Sequence, residues 1–234
     1  MGTPNSLILI PTFNESENIF PLLGLLRESV PSADILVVDD SSPDGTADRV
    51  RLFQRQDEHV FLLERPEKNG LAQAYFAGFA WAIDRHYDRI VQMDADFSHD
   101  PKTAGELLRG LDEADLVMGT RYGEGGGTAG WSKTRETISR SANFYATTIL
   151  SFPFADITSG FNAWRVSALK LLDYSSIKSR GYVYQVELKY RAHRRGLVIK
   201  EVPFTFTERR SGVSKISVPI VAEAAWCVLK LLRT

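Results

Sequence analysis

A single cysteine, Cys227, stands in a chain of 234 residues. An internal disulfide framework is therefore excluded, and the composition fits a reducing compartment. Cys227 sits in an apolar run, where packing in a core or against a membrane suits it better than reactivity. Histidine is scarce and scattered, so no zinc-binding spacing emerges. Net charge is close to absent, at −1, which argues against a nucleic-acid partner while leaving room for a local basic patch. Long apolar runs are missing too. Leu7 to Phe13 is too short for a secretory leader and soon meets Asn14 and Glu15. Ile216 to Leu232 comes nearest to a spanning helix but is interrupted by Ser217, Glu223 and Lys230. The expectation is a protein that is soluble or peripheral to a membrane, unless a membrane segment lies outside this chain.

What is present is a recurrence of short aliphatic strands and amphipathic helices. Ser6 to Ile10 reads as a buried strand, followed by Pro11-Thr12-Phe13-Asn14-Glu15 as its terminal loop. Asn14 is placed to cap the next helix, with Glu17 reaching back to it. Ile19, Leu22, Leu23 and Leu26 form that helix's apolar face. Asp34 to Asp40 repeats the strand pattern, and Ser42-Pro43-Asp44 opens a second helix with Pro43 in its first position. His59 to Leu63 is a third strand, Leu71 to Ile83 a helix, and Tyr87 to Met93 the central strand. Asp100 and Pro101 form the cap and first turn of a crossover helix through Leu111. Asp115 to Gly119 is a further strand. This order predicts an α/β fold, a mostly parallel sheet flanked by helices. The first turn lacks Gly-x-Gly-x-x-Gly, so it is not a dinucleotide fingerprint.

Past residue 121 the pattern changes. Gly123 to Thr128 reads as a flexible loop and Trp131 to Phe152 as a helix. Phe161 to Trp164 is a short strand, Ser167 to Leu172 and Val183 to Arg194 are helices, and Leu197 to Phe206 is an edge-capable strand. No linker divides the chain, so residues 1–215 are expected to form one domain. Residues 216–234 are expected to form a C-terminal amphipathic helix that lies in a membrane interface or packs on the protein. Glu223 and Lys230 share one face of it.

Acidic residues gather at the ends of the expected strands: Glu15, Asp39-Asp40, and Asp94-Ala95-Asp96. Ligands bind at the carboxyl ends of strands in open α/β sheets. Two carboxylates there can hold Mg²⁺ or Mn²⁺ against a diphosphate, which makes Asp94 and Asp96 metal candidates, Asp96 the stronger. Asp39 is assigned to a nucleoside and Asp40 to its ribose, with helix capping and loop hydration as the competing role. Pro11 either shapes the base pocket or simply ends the strand. Lys68, Asn69 and Gly70 precede a helix whose free amides suit phosphate or ribose, with a plain helix start as the competing role. Arg121 follows a strand directly and is either a phosphate ligand or a surface arginine.

Pro-Thr-Phe-Asn-Glu, Val-Asp-Asp-Ser-Ser-Pro-Asp-Gly-Thr, Met-Asp-Ala-Asp-Phe-Ser-His-Asp-Pro and Gly-Thr-Arg-Tyr together resemble the inverting family-2 glycosyltransferases of GT-A fold. Within that family the chain resembles the polyprenol-phosphate (dolichol-phosphate) mannose synthases. Asp156 to Phe161, Gly181 to Glu187, and Phe206 to Lys215 extend the match. The resemblance implies GDP-mannose as donor and a polyprenyl monophosphate as acceptor. It implies donor and metal contacts for Asp94, Ala95 and Asp96, with Gln92 or Ser98 nearby. It also implies roles for Gln185, Arg209 and Lys215 about donor and acceptor, with Arg210 and Glu187 less defined and Gly212 allowing a tight loop. Asp156 orients an arginine or the sugar, or simply caps a turn with Thr158. The catalytic set is then Asp96, Arg121, Arg209 and Lys215. A lipid acceptor favours the cytoplasmic side of a membrane, with or without an anchoring partner. It also places Trp131, Phe144, Tyr145, Phe152 and Phe154 near lipid or in the core. Competing readings are a UDP-glucose-dependent lipid-phosphate glucosyltransferase, a family-2 enzyme acting on a sugar hydroxyl, and a non-catalytic nucleotide-sugar-binding subunit.

Overall fold

Aliphatic runs without polar interruption build strands that are covered on both faces. The computed structural model describes residues 5–177, 181, 183–208 and 218–232. In chain order, β1 (Ser6–Thr12) leads to α1 (Ser16–Ser29), β2 (Asp34–Asp39), α2 (Thr46–Gln54), β3 (Val60–Glu64) and α3 (Leu71–Asp84). Then come β4 (Arg89–Gln92), α4 (Pro101–Gly110), β5 (Leu116–Thr120), β6 (Gly127–Ala129) and α5 (Lys133–Ile149). The remainder is β7 (Asn162–Arg165), α6 (Val166–Leu171), a 3₁₀ turn at Tyr174–Ser176, α7 (Val183–Arg194), β8 (Ile199–Pro203), β9 (Thr205–Thr207) and α8 (Val218–Leu231). The main sheet has the order β3-β2-β1-β4-β7-β5-β8 among the described residues. Its strands pair in parallel except β7, which runs antiparallel to both β4 and β5. The expected mostly parallel α/β sheet is therefore present.

Alternate residues of each strand feed opposite layers. Leu7 and Leu9 of β1 join Tyr75, Phe79, Trp164, Tyr184 and Leu188 on one side. Ile8 and Ile10 join Ile19, Leu22, Leu23 and Leu26 of α1 and Leu107 of α4 on the other. Each such fully buried aliphatic side chain contributes about 1.5–3 kcal/mol. Helix α3 crosses β1 closely at Gly78, where a Cβ would lie 2.3 Å from Leu9 Cδ1. Asp100 caps α4 through the Lys102 amide, with Pro101 in the first turn, as the sequence indicates.

Five local expectations are corrected. Asn14 does not cap α1; it adopts a positive φ of 60°, and Glu15 precedes the helix without a side-chain cap. The cap comes from the β2–α2 junction instead, since Thr46 Oγ1 accepts from the Glu15 amide and Asp44 from the Ser16 amide. For the same reason Pro43 does not start α2, which begins at Thr46 after left-handed Gly45. The glycine-rich segment is not wholly a loop, because Gly127–Ala129 pairs with Thr205–Thr207 in a separate parallel ribbon. The expected strand from Leu197 to Phe206 accordingly splits. Phe204 turns into the core between β8 and β9 and packs against Phe161 and His99. Strand β1 also runs through Pro11, opposite Val38, to Thr12 rather than ending at Ile10.

Helix α8 packs on α5 and α7, buries Val228 and Leu231, and leaves Trp226, Leu229 and Leu232 exposed. The Tyr145 hydroxyl donates to the Ala225 carbonyl at 3.2 Å, while Phe144 on α5 is 74% exposed. Phe152 is core and Phe154 packs beside it. No helix among the described residues is long and apolar enough to cross a membrane.

Gln92 is also corrected from its expected place near a metal. It is fully buried, accepting from Trp164 Nε1 at 2.7 Å and donating to the Tyr184 hydroxyl at 3.0 Å. Gln92→Leu removes the acceptor of a buried indole N–H, so it is expected to lower unfolding free energy by about 1–3 kcal/mol. Urea titration of the variant against the parent measures this.

Candidate active site

The sheet's carboxyl edge delivers two contrasting groups. Just beyond β4, Asp96 Oδ1 accepts from the Ser98 amide at 3.1 Å, a side-chain-to-backbone turn typical of aspartate. Phe97 completes this turn with a φ of 62°, in the left-handed region that non-glycine residues seldom adopt. The Asp94 amide donates to His99 Nδ1 at 3.1 Å. This assigns the proton of the neutral ring to Nε2. The imidazole lies flat on Phe161, with centroids 4.5 Å apart and planes 8° apart, and meets Phe204 and Phe206 edge-on. Burial drives its pKa down to about 4; Asp96 favours the charged form, and Arg121 adds to the depression. His99 is thus a neutral post beneath the acidic turn. Ala95 turns inward to the hydrophobic layer, leaving only its backbone for a ligand.

Opposite Asp94 lies Gly160. A Cβ built there would meet Gln185 Nε2 at 3.4 Å and Asp94 Oδ2 and His99 Cε1 at 3.9 Å. The missing side chain therefore preserves a small cradle between Asp94 and Gln185. Gln185 is oriented by Asn162, whose Nδ2 donates to Gln185 Oε1 at 2.9 Å. Ser98 Oγ is buried with no hydrogen-bond partner among the described residues. No three carboxylate, imidazole or thiol groups converge among those residues. The arrangement fits a hard divalent cation that takes one or two carboxylates and completes its shell with phosphate oxygens and water. Asp94 borders the cradle and Asp96 lies two residues on, in the same turn.

The cationic group is adjacent. Arg121, at the end of β5, is buried, and its Nε and Nη2 donate to the two oxygens of Asp156 at 2.7 and 2.8 Å. Its Nη2 also donates to Thr158 Oγ1. Burial raises the Asp156 pKa, but Arg121, aided by Lys189, outweighs it and holds the carboxyl below its ordinary range. Asp156 thus orients an arginine, one of the roles open from the sequence, and also accepts from Thr158 Oγ1 at 3.2 Å. Arg121 lies 5.7 Å from the Phe206 ring centre, and Phe206 touches His99. The Thr207 amide donates to the Ser98 carbonyl. His99 beneath the acidic turn and Arg121 thus both lie against the Phe206 ring.

Sequence reasoning missed three side chains here. Arg135 stacks 4.1 Å from the Trp131 ring centre, pairs with Glu208 at 3.0 Å, and has a buried Nε without a hydrogen-bond partner among the described residues. Its spacing of one turn from Trp131 was the available signal. His99 lay within the aspartate motif itself. Lys189 is fully buried on α7, four residues after Gln185 and so on the same helical face.

The other residues expected about the ligands make the following contacts. Asp39 accepts from Thr12 Oγ1, Ser42 Oγ and the Ser42 amide. Asp40 pairs with Arg65 at 2.6 Å, though burial still leaves its pKa raised. Lys68 Nζ sits 3.4 Å from the Phe13 ring centre. Glu15 accepts from Asn18 at 2.8 Å and lines a cleft of about 240 Å³ with Asn14, Ser16, Glu17, Asn18 and Asp44. None of the residues lining that cleft belongs to the Asp94–Gln185 group. Glu187 pairs with Arg191. Arg209, Arg210, Gly212 and Lys215 lie outside the described residues, which end at Glu208 before α8.

Residues 7–172 match the family model described as glycosyl transferase family 2. The undecaprenyl-phosphate mannosyltransferase of Micrococcus luteus is 45% identical over 218 residues, covering 93% of this chain and 90% of that protein. The polyprenol monophosphomannose synthase of Mycolicibacterium smegmatis is 43% identical over 230 residues, covering 97% and 86%. Among solved structures, the glucosyl-3-phosphoglycerate synthase of Mycobacterium tuberculosis, crystallised with Mn²⁺, UDP and glucosyl-3-phosphoglycerate, superposes with a TM-score of 0.69 at 18% identity. That match covers 98% of this chain and 78% of the other.

The buried histidine generates a pH prediction. Its folded pKa is depressed, so its stabilising contribution is complete above the ordinary histidine value near 6.5 and is lost as pH falls toward about 4. At pH 4.5 the loss attributable to this group is about 2–3 kcal/mol relative to pH 7. Urea unfolding of the parent and of His99→Gln at both pH values is expected to show a smaller acid-side loss in the variant.

Proposed function

The chain belongs to glycosyl transferase family 2 and is a glycosyltransferase of GT-A-like fold; from that premise we propose that it transfers mannose from GDP-mannose to a polyprenyl monophosphate. The supporting observation is a chain of contacts: His99, which accepts from the Asp94 amide, meets Phe206, Phe206 lies against Arg121 and Trp131, and Trp131 carries Arg135. One charge type faces a nucleoside diphosphate through a cation, and the other faces an anionic acceptor. The two relatives named above carry the same pairing of mannose and lipid phosphate in their names.

In this reading Asp94 and Asp96 hold Mg²⁺ or Mn²⁺, which when bound supplies Lewis-acid stabilisation of the departing diphosphate. Gln185 and the Gly160 cradle orient the sugar beside Asp94. Arg121, fixed by Asp156, faces the acceptor together with Arg135, and the following segment adds Arg209 and Lys215. Arginine suits two-pronged recognition of phosphate, and lysine offers a compact charge. A phosphate monoester is already ionised near neutral pH, so its oxygen attacks the anomeric carbon without a carboxylate base. A single displacement then inverts the sugar to the β-linked product. Asp39, Pro11, Glu15 and Lys68 serve the nucleotide of the donor, and Asp40 supports or binds its ribose. The exposed Trp226, Leu229 and Phe144 support docking of this face on a membrane surface, with the site on its cytoplasmic side.

The decisive assay pairs GDP-mannose and UDP-glucose with polyprenyl phosphate, each with Mg²⁺, Mn²⁺ or EDTA. Transfer from GDP-mannose alone, abolished by EDTA, is the expected result. Asp96→Ala and Arg209→Ala, folded by circular dichroism, are expected to lose about 100-fold or more in kcat. Full turnover in EDTA would overturn the metal assignment, and preference for UDP-glucose would overturn the donor.

A further inference from the structure

Lys189 is a fully buried side chain of α7 that the transfer as described does not use. Its ammonium donates to the Ile157 carbonyl at 3.0 Å and the Ser159 carbonyl at 2.6 Å. No carboxylate lies within 4 Å of it among the described residues. The charged groups that bear on it are Asp156, Arg121 and Glu201. Burying an ammonium among carbonyls is costly, and a methionine would fill a similar volume without that penalty. Burial accordingly lowers the lysine to about 7, against the pull of Asp156. A side chain kept at such cost invites the question of what its two hydrogen bonds hold.

They hold one turn from below. Carbonyls 157 and 159 converge on Lys189, while the intervening Thr158 faces the other way. Thr158 Oγ1 accepts from Arg121 and Asn143, and its amide donates to Asn143 Oδ1. Glu201 accepts from the amides of Ala155 and Asp156 at the start of the turn. The turn ends at Gly160, the cradle beside Asp94 and Gln185. One short segment thus carries the partner of the acceptor-side arginine at one end and the opening beside the metal-side aspartate at the other.

We infer that Lys189 is a positioning residue for glycosyl transfer, its ammonium fixing the 156–160 turn so that Asp156 holds Arg121 while Gly160 stays against Asp94 and Gln185. This inference rests on the transfer proposed above. Loss of the lysine leaves the core strands intact but lets the two ends of the turn move independently. The effect falls on turnover more than on the binding of either substrate, because each half still recognises its own ligand.

The test uses the full chain with Lys189→Met, and Lys189→Gln as a shorter side chain that retains an N–H donor. Hydrogen exchange is followed in peptides spanning 155–161 and, as reference, β1. Kinetics are measured with the mannosyl donor and polyprenyl phosphate. For Lys189→Met the expected result is at least tenfold faster exchange in 155–161, unchanged exchange in β1, and an unfolding temperature no lower than the parent's. A tenfold or greater fall in kcat is expected, with less than threefold change in either KM; Lys189→Gln should recover part of both losses. Parental exchange in 155–161, or parental kcat despite faster exchange, would overturn the inference. So would failure of both variants to fold, which would make the lysine a requirement of the fold itself. If the parent shows no mannosyl transfer, the functional reading fails instead, and the exchange data still report on the turn.

Discussion

The buried pairing of Arg121 with Asp156 is the constraint around which the second half of the molecule is arranged. Taking both charges from water is expensive, and the two-pronged geometry repays this only while both partners stay in register. Every nearby element contributes to that register. β5 delivers Arg121, Asn143 of α5 steadies Thr158, Glu201 of β8 holds the amides of the turn, and Lys189 of α7 draws in its carbonyls. Removing either charge would leave the other stranded in a low-dielectric interior. The pair is a weak source of net stability and a strong source of geometric definition.

Beside that pair, the acidic turn after β4 is organised by a different kind of force. His99 contributes no charge at neutral pH. It offers an acceptor nitrogen to the Asp94 backbone and a flat face to Phe161. The acidic turn is thus fixed from its inner side by a neutral group. His99 in turn meets the Phe206 ring edge-on, and Phe206 lies against Arg121.

Much of the first half was legible in the sequence because its strands are short aliphatic runs with helices between them. The Asp100–Pro101 start of α4 and the placing of Asp94 and Asp96 at a strand end follow from local rules. Asn14 and Pro43 misled because the cap of α1 is tertiary, supplied from the β2–α2 junction by Asp44 and Thr46. Gln92 misled because its neighbours in sequence are site residues while its neighbours in space are Trp164 and Tyr184. The split between β8 and β9 depends on Phe204 finding a slot beside Phe161, a contact across more than forty residues of chain. Arg135 and Lys189 carry no local signal strong enough to separate a solvated charge from a buried one. Their environments exist only after α5 and α7 have docked.

The reversed strand β7 has a consequence for how the molecule tolerates change. In a sheet whose other strands all point one way, the segment that enters β7 reaches the reactive rim and the segment that leaves it emerges at the far side. Lengthening the chain just after Arg165 would add material behind the machinery, whereas one extra residue just before Asn162 would shift Gly160 out of its gap. Direction of travel along a single short strand thus decides which neighbouring segment is free to diverge and which is held to a fixed length.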